Sequence, residues 1–394
     1  MEDDVLITSA ARLPVGRFGG SLANADEIEM GSRVVREAIA RSNITENDVD
    51  EVIVAYGYRT GKLPNNVARV IAVRAGIPIE VPSFTVNKAC GGGLRAVTLA
   101  AQAIKAGDSD VIVAGGEENM SKAAYLLPSI RWGRRMGHDE IIDPLILFDP
   151  ISKNTMGETA ENIARKFSIG REEQDRFALE SQRKALKAVE SGIFKEEIVP
   201  IEVKGEKGNI FLFEKDESPR TGLTLEKLAL LPPAFVKGGT VTAGNSCPMN
   251  DGAAAVVIMS GRRAASLGVK PLAKVLGYAS SGVEPSLMGI GPIPATRLAI
   301  ERAGISISDL DLIELNEAFA SQAIYCIREL GFDPSKVNVN GGAIALGHPV
   351  SATGIVLLTK LLYEMKRRKS TFGLVTMCMG GGMGISMVVE RITW

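Results

Sequence analysis

"AIARSNITENDVDEVI" (residues 38–53) and "AIERAGISISDLDLIE" (residues 299–314) align without a gap. Each reads as a helix end, a short turn, Asp-apolar-Asp and then an apolar strand. Chance can produce a match this short, but the elements that follow also keep step. After the first copy, Cys90 opens a helix leading to VIVAGG (111–116). After the second, His348 opens a helix leading to GLVTM (373–377). The chain therefore reads as two related α/β halves. Halves of this kind can pack about a pseudo-two-fold axis, with equivalent helix starts face to face.

The remaining pattern agrees. The apolar runs VLITSA (5–10), VIVA (52–55), VIVAGG, AAAVVIMS (253–260), LIEL (312–315), GLVTM and ISMVVE (385–390) read as strands. Helical patterns lie near 28–42, 66–75, 94–106, 158–190, 295–303, 318–330 and 352–368. This alternation predicts a mixed α/β fold with buried sheets and crossover helices. Residues 1–119 with 250–270 make the first half, and 271–394 the second. Residues 120–249 break the pattern and read as an insertion, a usual place for substrate or oligomer contacts.

The chain has 394 residues, 45% of them hydrophobic, which is ample for a large core. Its formal net charge is −1, and no block of like charge is long. That speaks against nucleic acid or an anionic membrane as a partner. The start, MEDDVLITSA, lacks the basic and apolar regions of a signal peptide. No apolar run reaches the roughly 18 residues of a membrane span, so the expected location is cytoplasmic. The four cysteines (90, 247, 326 and 378) form no CxxC pair, and the only histidines are His138 and His348. Neither a disulfide scaffold nor a metal site is expected.

Four residues carry the chemical argument. Cys90 sits in VNKACGGGLRAV (86–97), where a helix begins. Unpaired N–H groups and the positive end of the helix dipole there favour a thiolate, a strong nucleophile. The glycines leave space for a planar acyl group and offer N–H donors to an oxyanion. A small buried cysteine beside a turn is the structural alternative. His348, in GGAIALGHPVSATG (341–354), is the repeat counterpart of Cys90, or else a turn histidine. Cys378, in VTMCMGGGMG (375–384), reads as a second thiol suited to acid/base work, or as a strand end before a turn. Asn316, in ELNEAFA (314–320), reads as a helix N-cap or as an amide that holds a water.

Together these stretches resemble the thiolase family (acetyl-CoA C-acyltransferases) over essentially the whole chain. WGRRMGHDEIIDP, MGETAENIA and PAFVKGGTVTAGNSCPMNDGAAAVV carry the same resemblance, in matching order and spacing. It implies a five-layer αβαβα sandwich of two duplicated halves with an inserted loop domain. Cys90 would be the acylated nucleophile and His348 its activator. Asn316 would fix a catalytic water in an oxyanion hole shared with His348. Cys378 would be the acid/base, with the N–H groups of Cys90 and Gly380 forming a second hole. Coenzyme A and acyl-CoA would be substrates, contacted by Arg220, Ala243, Gly244, Ser246, Cys247, Met156 and Phe319, with no permanent cofactor. A homodimer or homotetramer is implied, with the 120–140 loop tying dimers together and a small companion subunit as a further option.

Four positions depart from the family pattern. Gly92 stands where a serine is usual between two glycines. Ser351 and Thr353 replace a glycine and a serine after His-Pro. Thr155 replaces a pocket histidine, and Cys247 a pantetheine-contacting serine. The last two fit a branched, aromatic or dicarboxylic substrate, of the benzoylsuccinyl-CoA kind, at least as well as acetoacetyl-CoA. A decarboxylating condensing enzyme shares the fold and nucleophile but normally needs a second histidine or an Asn, and no second reactive Cys. A non-catalytic thiolase-like subunit would be expected to have lost one of the four residues. A Cys–His hydrolase is disfavoured, because two thiols with glycine-rich loops suit transfer to CoA better than transfer to water.

Overall fold

In the computed structural model of the chain, residues 4–61, 63, 65–205 and 208–392 are described. The strands β1 (Val5–Arg12), β2 (Glu51–Tyr56), β3 (Ser83–Val86), β4 (Val111–Asn119), β5 (Asn250–Ser260), β6 (Ala273–Gly282), β7 (Leu312–Leu315), β8 (Phe372–Met379) and β9 (Met383–Arg391) share one sheet. Their order is β7-β8-β9-β6-β1-β5-β4-β2-β3, and the short strand Gly16–Arg17 pairs with β5 off this path.

The duplication is written in this order. Outward from β1, the β1/β5 and β5/β4 pairs are antiparallel, and β4/β2 and β2/β3 are parallel. Outward from β6, the β6/β9 and β9/β8 pairs are antiparallel and β8/β7 is parallel. Val337 then bridges Ile313 of β7 in parallel, in the place of a fifth strand. The halves join at β1/β6, where only Leu6–Lys274 and Ile7–Ala273 pair. The two aligned stretches also fold alike. Thr45 with Asp48, and Ser306 with Asp309, form matching capping boxes on one-turn helices. Asp50 accepts the N–H groups of Asp110 and Val111, and Asp311 those of Thr371 and Phe372.

The main helices are α1 (Glu27–Arg41), α2 (Val67–Arg74), α3 (Gly92–Ala106), α4 (Met156–Lys166), α5 (Arg171–Ser191), α6 (Pro292–Ala303), α7 (Ala320–Leu330) and α8 (Val350–Arg368). Strand alternation sends Val111 and Val113 of β4 toward α1 and α2. Ile112 and Ala114 face α3 and α8 instead, in a core that Val375, Met377 and Met379 of β8 also enter. Leu374 and Val388 face outward onto α6 and α7. The layers therefore run helix, half-sheet, helix, half-sheet, helix, with α3 and α8 shared in the middle. These two helices cross closely. A Cβ at Gly93 would lie 2.6 Å from the Ser351 carbonyl oxygen, and one at Gly354 would lie 2.5 Å from the Leu94 nitrogen.

Two expectations need correction. The pattern at 158–190 is two helices, α4 and α5, because Ser168 takes a left-handed φ of 53° and turns the chain between them. The sequence reading also missed β3 and β6. Residues 120–249 hold α4, α5 and two small two-stranded sheets. This segment is tied to β1 by Arg12, whose buried guanidinium binds Glu197 at 2.8 Å and Asp216 at 2.7 Å.

Candidate active site

Cys90 lies just ahead of α3, and Ala89 before it holds a left-handed φ of 46°. A non-glycine residue there is strained, and such strain collects at functional turns. The thiol is not acidified, contrary to the expectation from the helix start. Burial pushes it up to about 11, and nearby Glu118 adds to the rise. The N–H groups of Gly380 and Cys90 itself act in the opposite direction, favouring the thiolate.

His348 immediately precedes Pro349 and α8. Its backbone N–H donates to Asn250 Oδ1 at 2.9 Å. Its Nδ1 lies 2.6 Å from Thr353 Oγ1, one helical turn on. Nε2 is buried with no partner among the described residues. Burial lowers the imidazole to about 4, so the ring is neutral at physiological pH. Cys378 ends β8, is 1% exposed, and is held well above the usual thiol range by burial and by Cys90. The β8–β9 turn is made by Gly380, Gly381 and Gly382, the last two at φ of 83° and 77°.

These groups meet in one cavity of about 410 Å³ lined by Cys90, His348, Cys378 and Gly380. Its other walls are mostly apolar and include Tyr58, Met156, Cys247, Met288 and Phe319. Asn316 is not on the wall. It is fully buried, and neither atom of its side-chain amide has a partner among the described residues. It is no N-cap either, since α7 starts at Ala320 with Phe319 in the cap position.

Of the expected CoA contacts, Met156, Cys247 and Phe319 face the cavity. Arg220, Ala243, Gly244 and Ser246 do not. Ser246 bridges Phe319, but its hydroxyl donates to the Thr242 carbonyl at 2.8 Å. Arg220 is exposed, and its backbone N–H donates to Gln182 Oε1. The 240–245 loop is fixed from below. Glu161 accepts the N–H groups of Thr240 and Val241, and Asn245 donates to Asp175. Thr155, read as standing in place of a pocket histidine, caps α4 in a box with Glu158.

Sequence reasoning missed Tyr58, Met288, Asn250 and Thr353 as parts of this site. Only Thr353 left a trace, five residues after His348 on the following helix. Among the described residues, no His, Cys, Asp and Glu group is arranged to hold a metal ion, and no helix is long and apolar enough to cross a membrane.

Comparison with known proteins agrees with this geometry. The thiolase N-terminal domain family matches residues 5–262, and the thiolase C-terminal domain family matches residues 269–391. An acetyl-CoA acetyltransferase of Syntrophomonas wolfei is 53% identical over 399 residues, spanning 100% of both chains. Beta-ketothiolase BktB of Cupriavidus necator is 48% identical over 395 residues, again 100% of both. The solved acetyl-CoA acetyltransferase of Bacillus anthracis superposes with a TM-score of 0.96 at 45% identity, covering 99% of each chain. Human mitochondrial 3-ketoacyl-CoA thiolase in complex with CoA gives 0.94 at 38% identity, covering 99% of this chain and 98% of that one. The chain belongs to the thiolase family.

Proposed function

We propose that the chain catalyses CoA-dependent cleavage of a 3-oxoacyl-CoA, and the reverse Claisen condensation, through an acyl-Cys90 intermediate. The observation that carries this reading is the meeting of Cys90, His348 and Cys378 in one apolar cavity. Cys90 rests as a thiol, so its proton must leave as it attacks the 3-oxo carbon. The free Nε2 of neutral His348 is the base for that proton. The N–H groups of Cys90 and Gly380 receive the developing oxyanion.

The C2–C3 bond then breaks, leaving the acyl group on Cys90 sulfur and the electron pair on C2 of the departing acetyl-CoA enolate. Asn316 and His348 stabilise that enolate through a water, and Cys378 protonates C2. In the second half, Cys378 takes the proton of free CoA, the CoA thiolate takes the acyl group, and His348 returns its proton to the departing Cys90 sulfur. Burial suits Cys378 to this role, because a thiol held far above neutrality is a strong base once ionised.

The names of the relatives favour a short substrate over the branched, aromatic and dicarboxylic ones, so acetoacetyl-CoA is the reference substrate. The exposed apolar side chains Tyr125, Ile130, Trp132 and Met136 support self-association through the 120–140 loop. Incubation with CoA and acetoacetyl-CoA, following loss of the enolate absorbance, tests the reading. No thiolysis together with no acyl adduct on Cys90 by mass spectrometry would overturn it.

A further inference from the structure

We propose that Glu118 is a positioning residue for the reaction: its buried carboxylate ties the cavity wall at Tyr58 to the first turn of the helix behind His348. The inference rests on the thiolase reading above. Glu118 lies on β4 and is 0% exposed. Its Oε1 accepts the Tyr58 N–H at 2.9 Å, and its Oε2 accepts the Ser351 N–H at 3.1 Å. Tyr58 lines the cavity beside Cys90. Ser351 is the second residue of α8, whose cap position is Pro349 with no side-chain cap. A helix start leaves N–H groups without partners. Here a carboxylate from the other half of the molecule takes one of them. Glu118 thus holds the His348 side of the site against the Cys90 side.

The packing around Glu118 is built for this. A Cβ at Gly57 would lie 2.5 Å from Glu118 Oε2 and 2.8 Å from Ser351 Oγ, so no side chain fits there. A Cβ at Gly92 would lie 3.8 Å from Ser351 Oγ. The two departures at 92 and 351 are therefore neighbours. The Ser351 hydroxyl and Ala55 Cβ border the position that a side chain at Gly92 would take, and the hydroxyl also favours the charged form of Glu118.

A carboxylate accepts at both oxygens, whereas a carboxylic acid turns one of them into a donor. Protonation of Glu118 therefore weakens the hydrogen bond at whichever oxygen takes the proton. Burial raises this carboxyl to about 7, opposed by the Tyr58 and Gly57 N–H groups and by the hydroxyl and N–H of Ser351. The titratable groups that act on it are Glu117, adjacent on the same strand but on its opposite face, Tyr56 at the end of β2, Tyr58 just beyond it, and Cys90 ahead of α3. The facing turn of α8 presents Ser351. His348 titrates at about 4, too low to shape activity in this range.

The test is the pH profile of kcat/KM for acetoacetyl-CoA thiolysis in wild type, Glu118→Gln and Ser351→Ala. Wild type is expected to lose activity as pH falls through about 7. Glu118→Gln should be about tenfold slower at about pH 8 and flat where the wild-type limb lies. Ser351→Ala should move the limb to higher pH, because its hydroxyl opposes the rise. If Glu118→Gln does not fold, the direction of the Ser351→Ala shift decides. Alkylation of Cys90 by iodoacetamide against pH reads the same titration without turnover, as an inflection that Glu118→Gln removes. That readout separates this proposal from the thiolase reading itself. A wild-type limb and inflection unchanged in the variants would overturn the role of Glu118.

Discussion

Thr353 Oγ1 stands 2.6 Å from His348 Nδ1, while the opposite ring nitrogen meets no partner among the described residues. The hydroxyl fixes the ring and leaves Nε2 for the reacting thiol. When the hydroxyl accepts a hydrogen bond from Nδ1–H, the ring is in the tautomer whose Nε2 lone pair is free. Thr353→Val keeps the shape and removes the acceptor. It should lower kcat/KM about tenfold, with Thr353→Ser restoring most of the loss. Steady-state thiolysis kinetics decide the matter, and a wild-type rate in Thr353→Val would remove the hydroxyl from the account.

The two cavity thiols should separate cleanly. Cys90→Ser is expected to abolish turnover and leave no acyl adduct. Cys378→Ser should still acylate Cys90 from acetoacetyl-CoA, visible by intact mass, while turnover falls by about a thousandfold or more. Normal turnover in Cys378→Ser would refute its acid/base role.

Glu117, beside Glu118 but facing α1, is buried, and neither of its oxygens has a hydrogen-bond partner among the described residues. Burial raises it well above 4.5, and Glu118, Glu27 and Asp251 raise it further against Lys122 alone. The folded chain thus keeps a proton that the unfolded chain releases. Stability from this site is full below the ordinary carboxyl value and is lost as pH rises toward the folded one. Glu117→Gln should melt higher than wild type at about pH 8, and the two melting curves should converge below 4.5. Equal melting temperatures across that range would contradict the protonated assignment.

The Arg12 network predicts a purely structural effect. Arg12→Ala leaves Glu197 and Asp216 buried without their cation, a loss of about 3–5 kcal/mol. Denaturant unfolding measures it, and the insertion, held to β1 by this residue, should become the segment most open to proteolysis.

The duplication was legible because its signals are local: a short turn, an Asp-apolar-Asp motif just ahead of the strand and an apolar run at the same offset. Cys90, His348 and Cys378 were legible because each is flanked by glycines that no ordinary core position needs. The β1/β6 join left no trace, since two residue pairs impose no pattern. The break at Ser168 was hidden because the residue that takes the left-handed turn is a serine, and the one glycine nearby, Gly170, caps the next helix. The acidity of Cys90 was misread because it packs against a core drawn from α3, α8, β8 and β9, elements far apart in sequence that meet only in the folded chain. Glu118 reads simply as the end of a strand until its partner on α8 is seen.

The sharing of α3 and α8 limits how relatives of this chain can be recombined. A chimera joining the first half of one to the second half of another inherits two catalytic loops that each match their own parent. It also inherits a new contact where Gly93 meets Ser351 and Gly354 meets Leu94. Backbone crosses backbone there with no room for a methyl group, so compatibility at that crossing, more than agreement between the cavity walls, decides whether grafted halves assemble into an enzyme.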